Sequence, residues 1–273
     1  MMDTPPALRI LTYNVHRCRG LDGLLSPQRI ADALAQAQAD VVALQEIDVG
    51  SARTNGVDQA GFLARALGMD VHFQPVRPVG EGWSGVAVLT RRPSRLVRAG
   101  LLPALRVARG LVPRGALWVA VETGSGELHV VNTHLSLIGR ERARQAAALL
   151  GPDWLGGLAP GEPRVLLGDF NAVPRSVTYR AIARVLSDAQ RLSKPRLRPK
   201  PTFPARLPTL RLDHVFVDAE VMDVVGVEVP RDVLTRAASD HLPLVVDVAP
   251  VREPARSPPP FSPDAAATPA PEG

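Results

Sequence analysis

Short runs rich in Val, Leu and Ile recur along the chain and outnumber the segments with helical periodicity. Each run is bounded by turn residues, which predicts a strand. The nine predicted strands are Arg9–Val15, Asp40–Glu46, Gly85–Thr90, Ala116–Thr123, Glu127–Leu135, Arg164–Asn171, Leu212–Val217, Val224–Val229 and Leu244–Val248. With about four helices for nine or more strands, a purely parallel doubly wound sheet is disfavoured. We therefore predict an α/β fold of two packed mixed sheets flanked by helices.

Local signals agree with this prediction. Gly124–Gly126 lies between two predicted strands and indicates a hairpin, hence antiparallel pairing. Ser26 can cap a helix that has Pro27 at its first position. Further helices are predicted over Gln59–Leu67, Arg140–Leu150 and Thr178–Leu186.

Composition changes after Ala249, where Pro, Ala, Ser and Glu dominate. We predict one domain over residues 1–249 and a disordered tail over residues 250–273. No apolar run approaches the roughly 20 residues of a membrane-spanning helix, and the N-terminus lacks a signal-peptide pattern. Cys18 is the only cysteine, which excludes an internal disulfide and a zinc site built on several thiolates. These features favour the cytoplasm.

The formal net charge is +5 and is carried almost entirely by arginine, because Lys194 and Lys200 are the only lysines. GC-rich coding explains such a skew most simply, although a basic surface also suits a phosphate-bearing substrate. Basic residues are densest between Arg191 and Arg211, where prolines interrupt the run. That segment is therefore predicted to be a loop.

Polar residues cluster where the predicted strands end. They are Asn14, Glu46, His134, Asp169, Asn171, Asp213, Asp240 and His241. Strand ends at one edge of a sheet converge on a common cleft, where ligands tend to bind. Carboxylates and amides suit an oxygen-bound cation such as Mg²⁺ or Mn²⁺, and the histidines remain for acid–base chemistry. Each residue alone has an ordinary structural explanation, so the prediction depends on their occurrence together.

Six motifs in a fixed order carry a family resemblance. They are Thr12-Tyr13-Asn14-Val15-His16, Leu44-Gln45-Glu46, Asn132-Thr133-His134-Leu135, Gly168-Asp169-Phe170-Asn171, Leu212-Asp213-His214 and Ser239-Asp240-His241-Leu242-Pro243. Together they resemble the endonuclease/exonuclease/phosphatase superfamily, which includes DNase I, exonuclease III-type nucleases, neutral sphingomyelinases and inositol polyphosphate 5-phosphatases. The resemblance extends from about Leu8 to Val248. It implies a DNase I-like four-layer α/β/β/α sandwich with largely antiparallel sheets.

The resemblance also implies roles for the residues that bind a metal ion. Glu46 would be the main ligand of Mg²⁺ or Mn²⁺, with Asn14 close by and Asp240 a plausible additional ligand. His241 would be a general base or an electrostatic partner, oriented by Asp213.

Three further residues would act on the phosphate. Asp169 would position or deprotonate the attacking water, while Asn171 and His134 would hold the non-bridging oxygens. Attack on a phosphodiester requires charge neutralisation and a nucleophile made from water, both of which these residue types supply.

Departures from the family pattern bear on the substrate. His16 stands where repair nucleases often have an acidic residue, and it could contact phosphate. Ile47-Asp48 follows Glu46, where exonuclease III-type enzymes typically have Thr-Lys. Both departures weaken a DNA-repair interpretation. Gly82–Leu89 resembles a segment of abasic-site endonucleases, but an ordinary core strand after a turn is the favoured explanation of it. Arg114 and Arg140 could each contact phosphate, although a surface position explains them as well.

The leading hypothesis is therefore a metal-dependent phosphodiesterase or phosphatase that acts on a small or lipid-linked phosphate through metal-assisted activation of water. The first alternative is a DNA endonuclease or exonuclease. The second is a catalytically inactive relative that serves as a binding module, against which the full motif set argues. The physiological substrate and the oligomeric state are left open.

Overall fold

Two six-stranded sheets make up the centre of the computed structural model, which describes residues 7–105, 112–193 and 198–251. The strands are β1 (Leu8–Asn14), β2 (Val41–Val49), β3 (Asp70–Val79), β4 (Gly82–Thr90), β5 (Ser94–Leu101), β6 (Gly115–Thr123), β7 (Gly126–His134), β8 (Arg164–Asp169), β9 (Ser187–Asp188), β10 (Asp213–Val217), β11 (Met222–Glu228) and β12 (Leu244–Pro250). The helices are α1 (Pro27–Ala37), α2 (Gln59–Leu67), α3 (Gly139–Leu149), α4 (Val177–Ile182), α5 (Ala189–Leu192) and α6 (Val233–Ala238).

The layers are those of the predicted four-layer sandwich. One sheet has the order β11-β12-β1-β2-β4-β3 and the other β5-β6-β7-β8-β10-β9. A buried apolar cluster from both sheets fills the space between them. A second cluster lies between the first sheet and α1, α2 and α6, and a third between the second sheet and α3 and α4. The predicted fold class is thus confirmed.

Nine strands and four helices lie where the sequence places them, with ends displaced by a few residues. The Gly124–Gly126 turn joins the antiparallel strands β6 and β7, and the Ser26 hydroxyl accepts the Arg29 N–H at the start of α1. Three strands, β3, β5 and β9, were not predicted, and neither were the short helices α5 and α6. All three of those strands lie at sheet edges.

At the C-terminal end, β12 continues to Pro250, and the Val251 N–H donates to the Val221 carbonyl. The predicted tail otherwise falls outside the described residues. No helix in the described ranges is both long and apolar enough to cross a membrane.

A buried amide network connects the two sheets. Asn132 of β7 donates through Nδ2 to the carbonyls of Leu44 and Ala87 in the facing sheet, at 2.9 and 2.8 Å. In return its Oδ1 accepts from Nε2 of Gln45 at 2.7 Å, and the same Nε2 lies 3.1 Å from Oγ1 of Thr12. Because buried polar groups are costly when unpaired, this network fixes how the sheets face each other.

Replacement of Asn132 by alanine should lower the free energy of unfolding by roughly 3 kcal/mol, because it leaves buried partners in the facing sheet without their hydrogen bonds. Urea denaturation would measure the loss. Gln28→Ala, which removes an exposed amide on α1, is the matched control and should change stability by less than about 0.5 kcal/mol. A loss below 1 kcal/mol for Asn132→Ala would contradict a structural role for the network.

Candidate active site

The site lies where strands from both sheets end together. In the first sheet β1 and β2 run parallel, with Asn14 opposite Gln45. In the second sheet β7 and β8 run parallel, with His134 opposite Asp169, and β10 begins alongside at Asp213. The carboxyl ends of four strands therefore place their terminal polar side chains at one edge of the sandwich.

A bulge in β2 directs Glu46 into the site. The pairing of β2 with β4 shifts register between Gln45 and Ile47, and Glu46 has a φ of 57°. Without the bulge, strand alternation would turn Glu46 away from Gln45, towards the helical layer. With it, both side chains face the second sheet: Gln45 contacts Asn132, and Glu46 contacts Asn14.

The backbone is also left-handed elsewhere around the site. Asn171 has a φ of 47°, and His16, Arg17 and Cys18 have φ values of 46°, 58° and 56° in succession. Non-glycine residues adopt this region only at an energetic cost. Such conformations tend to cluster at functional sites, where the surrounding structure holds them in place.

The Asn14 side chain joins carboxylates from the two sheets. Its Nδ2 atom lies 3.0 Å from Oδ2 of Asp169 and 3.3 Å from Oε1 of Glu46. Its Oδ1 atom accepts the backbone N–H of His16 at 3.0 Å. A single buried amide thus holds two like charges near each other and shields part of their repulsion.

His241 is fixed between two aspartates. Its Nδ1 atom lies 2.8 Å from Oδ2 of the buried Asp213, which also accepts from the Thr202 hydroxyl. Its Nε2 atom lies 3.7 Å from Oδ2 of Asp169. Burial alone would lower the pKa of His241, but the carboxylates of Asp213, Asp169 and Asp240 outweigh it and raise the pKa to about 10. His241 is therefore a cation at neutral pH.

His134 has the opposite charge state. Burial lowers its pKa to about 3, so the ring is neutral near pH 7. Its Nε2 atom accepts from Nδ2 of Asn171 at 3.1 Å, and the same amide group donates to the Leu135 carbonyl at 2.9 Å. The Asn171 N–H in turn donates to Oδ1 of Asp169 at 2.9 Å. One charged and one neutral imidazole thus flank Asp169.

Asp240 and His16 lie at the margin of this cluster, with Oδ1 of Asp240 3.9 Å from Nδ1 of His16. Ser239 anchors the segment, since its hydroxyl donates to the Asn14 carbonyl and accepts the His241 N–H. Arg114 is partly buried and interacts electrostatically with Asp169 and Glu46.

The predicted site residues are thus brought together, with one exception. Arg140 is exposed on the first turn of α3, and no contact joins it to the other predicted residues within the described ranges. Thr202, which supports Asp213, was missed because its loop carries no motif. Ser239 lies within a recognised motif, but its link to Asn14 depends on the folded structure.

Two sets of side chains could hold a metal ion. Ligand atoms of Asp169, Asp213 and His241 lie within 4.8 Å of one another. In that set, however, Nδ1 of His241 and Oδ2 of Asp213 already bind each other. Glu46, Asn14 and Asp240 carry the oxygen ligands that a hard divalent cation prefers. Oδ1 of Asn14 accepts the His16 N–H, and Asp240 lies at the margin of the cluster beside His16. The residues present fit such an ion by the chemistry of their donor atoms, provided that Asn14 exchanges its contact with His16.

Comparisons with known proteins agree with the fold and the position of the motifs. The model of the family described as "Endonuclease/Exonuclease/phosphatase family" matches residues 11–241. The "uncharacterized protein YbhP" of Escherichia coli strain K12 is 27% identical over 254 residues, which cover 89% of this chain and 96% of that protein.

Two solved structures show the same architecture. An endonuclease/exonuclease/phosphatase from Beutenbergia cavernae is 25% identical, with a TM-score of 0.69, covering 90% of this chain and 72% of that one. The mannosyl-6-phosphatase Bt3783 of Bacteroides thetaiotaomicron is 22% identical, with a TM-score of 0.70, covering 89% of this chain and 99% of that one.

The charge of His241 should depend on Asp213. In Asp213→Asn the largest carboxylate contribution is lost, so the pKa of His241 should fall from about 10. Titration of the ¹⁵N-labelled imidazole by NMR would measure this change. The control is Asp218→Asn at the other end of β10, where Asp218 pairs with Arg164. An unchanged His241 titration in Asp213→Asn would contradict the assigned pairing.

Proposed function

The chain belongs to the endonuclease/exonuclease/phosphatase family, which is generally hydrolytic, and on that premise we propose that it is a metal-dependent hydrolase of phosphate esters. The observation that carries this proposal is the arrangement around Asp169. Oδ2 of its carboxylate lies 3.7 Å from Nε2 of the cationic His241 and 3.0 Å from Nδ2 of Asn14, which also contacts Glu46. A proton acceptor, a positive charge and oxygen ligands thus meet at one point.

Asp169 is the proposed acceptor of the proton of the attacking water. Asn14 and the Asn171 N–H hold its two oxygens in place, so the carboxylate is oriented before substrate binds. His241 keeps its protons at neutral pH and places positive charge beside the reacting phosphate. Because it is cationic, we assign it electrostatic stabilisation in preference to the role of general base.

Asn171 and His134 are proposed to hold a non-bridging oxygen. One amide hydrogen of Asn171 donates to Nε2 of His134. When a phosphate oxygen replaces that acceptor, the neutral ring can carry its proton on Nε2 and donate to the same oxygen. The neutral ring of His134 avoids a second cation beside His241.

Glu46, Asn14 and Asp240 are proposed to hold Mg²⁺ or Mn²⁺, which would supply positive charge to the phosphate oxygens and to the leaving group. The choice of ion follows from the oxygen-only ligand set.

The proposed substrate is a small or lipid-linked phosphate. Cleavage of DNA is a second candidate, favoured by one observation: Trp83 of β4, which pairs with Val49 of β2, is 45% exposed. DNA-distorting enzymes use such side chains as wedges, together with a continuous basic stripe. Here the densest basic run of the sequence is interrupted by prolines, and the chain has only three Trp and two Tyr.

Hydrolysis of bis-p-nitrophenyl or p-nitrophenyl phosphate should require a divalent cation and stop in EDTA. Glu46→Gln should weaken metal binding, measured by calorimetry, and lower the rate in parallel, because it removes an anionic ligand. Glu220→Gln, an exposed change after β10, is the control. Undiminished turnover by metal-stripped protein would rule out metal dependence.

Asp169→Asn and His241→Ala should each lower kcat by about 10²–10⁴-fold, the usual contribution of a positioned acid–base or charged group. Circular dichroism should show that both variants fold. Asp213→Ala should have a smaller effect, since it acts through the orientation of His241. Near-wild-type rates for either of the first two variants would refute the assigned roles.

The rate on small or lipid-linked phosphates should exceed the rate on duplex or abasic DNA. A DNA enzyme would lose affinity steeply with salt, because each neutralised phosphate releases counterions. Nicking assays from 50 to 200 mM salt, with Trp83→Ala and the exposed control Leu96→Ala, test this difference. Efficient, steeply salt-dependent nicking that requires Trp83 would favour the nuclease.

A further inference from the structure

A cavity of about 140 Å³ opens beside the site, beyond Glu46 and His134. Its lining includes Glu46 and His134 but neither Asp213 nor His241, so it adjoins the reacting centre and extends away from His241. A single water needs only about 10–15 Å³ on the same measure, so this cavity has room for a larger group.

Four arginines line this cavity: Arg17, Arg53, Arg77 and Arg114. Arg53 is neutralised, since its Nε and Nη2 atoms bind both oxygens of the buried Asp48 at 2.7 and 2.8 Å. Among the residues that the structure describes, the other three have no carboxylate within ion-pair distance. Glu46 is the one carboxylate among the lining residues, so the cavity carries more positive charge than the described residues neutralise.

Of these three arginines, Arg114 gives the strongest evidence for an anionic ligand. It is partly buried, and its Nε atom is shielded from solvent without a hydrogen-bond partner in the described ranges. Burial lowers its pKa, while Asp169 and Glu46 oppose that shift from a distance. A shielded N–H without an acceptor is costly, unless a ligand supplies one.

The cavity wall is also organised for oxygen ligands. The Ser84 hydroxyl lines the cavity and accepts from Nη2 of Arg53, so its own proton is available to a ligand. Guanidinium groups donate in a planar fork that matches the oxygens of a phosphate. The shared lining by Glu46 and His134 places any bound anion directly beside the proposed reacting phosphate.

We propose that this cavity is a second anion subsite and that the preferred substrate is a phosphate ester carrying a second phosphate group on the same molecule. Arg77 and Arg114 bind that second group, supported by Arg17 and Ser84. This inference rests on the proposed function, because it takes the reacting phosphate to lie at Asp169 and His241. A soluble bisphosphate and a phosphorylated lipid headgroup both present the required chemistry.

Binding can be tested without turnover. By calorimetry, the wild-type protein with Mg²⁺ should bind propane-1,3-bisphosphonate at least 10-fold more tightly than propylphosphonate. Arg77→Gln and Arg114→Gln should each reduce that ratio several-fold, and Arg77→Lys should restore part of it because the charge remains without the fork. Arg65→Gln removes an exposed arginine from α2 with the same change of net charge and should leave the ratio unchanged.

Hydrolysis separates the sources of the second phosphate. The soluble pair is propane-1,3-diol bisphosphate and propyl phosphate; the micellar pair is phosphatidylinositol 4-phosphate and phosphatidic acid. A preference in kcat/KM for the doubly phosphorylated member of either pair, lost in Arg77→Gln, supports the subsite.

Two results would overturn the subsite. One is equal wild-type affinity for the two phosphonates. The other is a loss in Arg77→Gln that is the same for both, which would place the reacting phosphate in this cavity. Retained binding preference with no hydrolysis of any ester would instead remove the proposed function and leave the subsite standing.

Discussion

The site depends on the fixed separation of the two sheets, which buried amide side chains set. Asn132 and Gln45 bind across the gap below the site, and Asn14 binds across it at the site. Apolar packing between sheets is tolerant of small sliding motions, whereas a buried hydrogen bond is lost within a fraction of an ångström. The amides therefore convert a hydrophobic interface into one with a defined register. The carboxylates of Glu46 and Asp169, which come from different sheets, meet only because of that register.

Gathering carboxylates in a partly dry cleft opposes folding, since like charges repel more strongly away from water. The structure offsets this cost locally. His241 takes up a proton between Asp213 and Asp169, while amide donors occupy the facing oxygens. The left-handed residues at Glu46 and Asn171 add a further cost, consistent with the idea that local strain is kept where function requires it. The site therefore lowers the stability of the folded state in order to hold a particular arrangement of charges.

The sequence predicted the central strands and the motif residues because both depend on local signals. β1, β2, β7 and β8 are buried on both faces and read as continuous apolar runs, whereas β3 contains Pro75 and Pro78 and is only partly buried. Edge strands are not buried on both faces, so their sequences show only a weak pattern of apolar residues. α5 has four residues, too few for a helical period to be recognised, and α6 is also short, with six residues. The cavity arginines could not be predicted together, because loops and an edge strand bring them to one place only in the folded chain.

The prolines that made β3 difficult to predict also affect whether other chains can pair with this edge of the sheet. An edge strand normally offers free N–H and C=O groups on which another chain can form an intermolecular ladder. Pro75 and Pro78 lack N–H donors, and β3 is further interrupted by an irregularity between Pro75 and Arg77. At the corresponding edge of the other sheet, β5 presents Arg95 and Arg98 to solvent. Two of the four sheet edges, β3 and β5, are thus poor templates for amyloid-like growth.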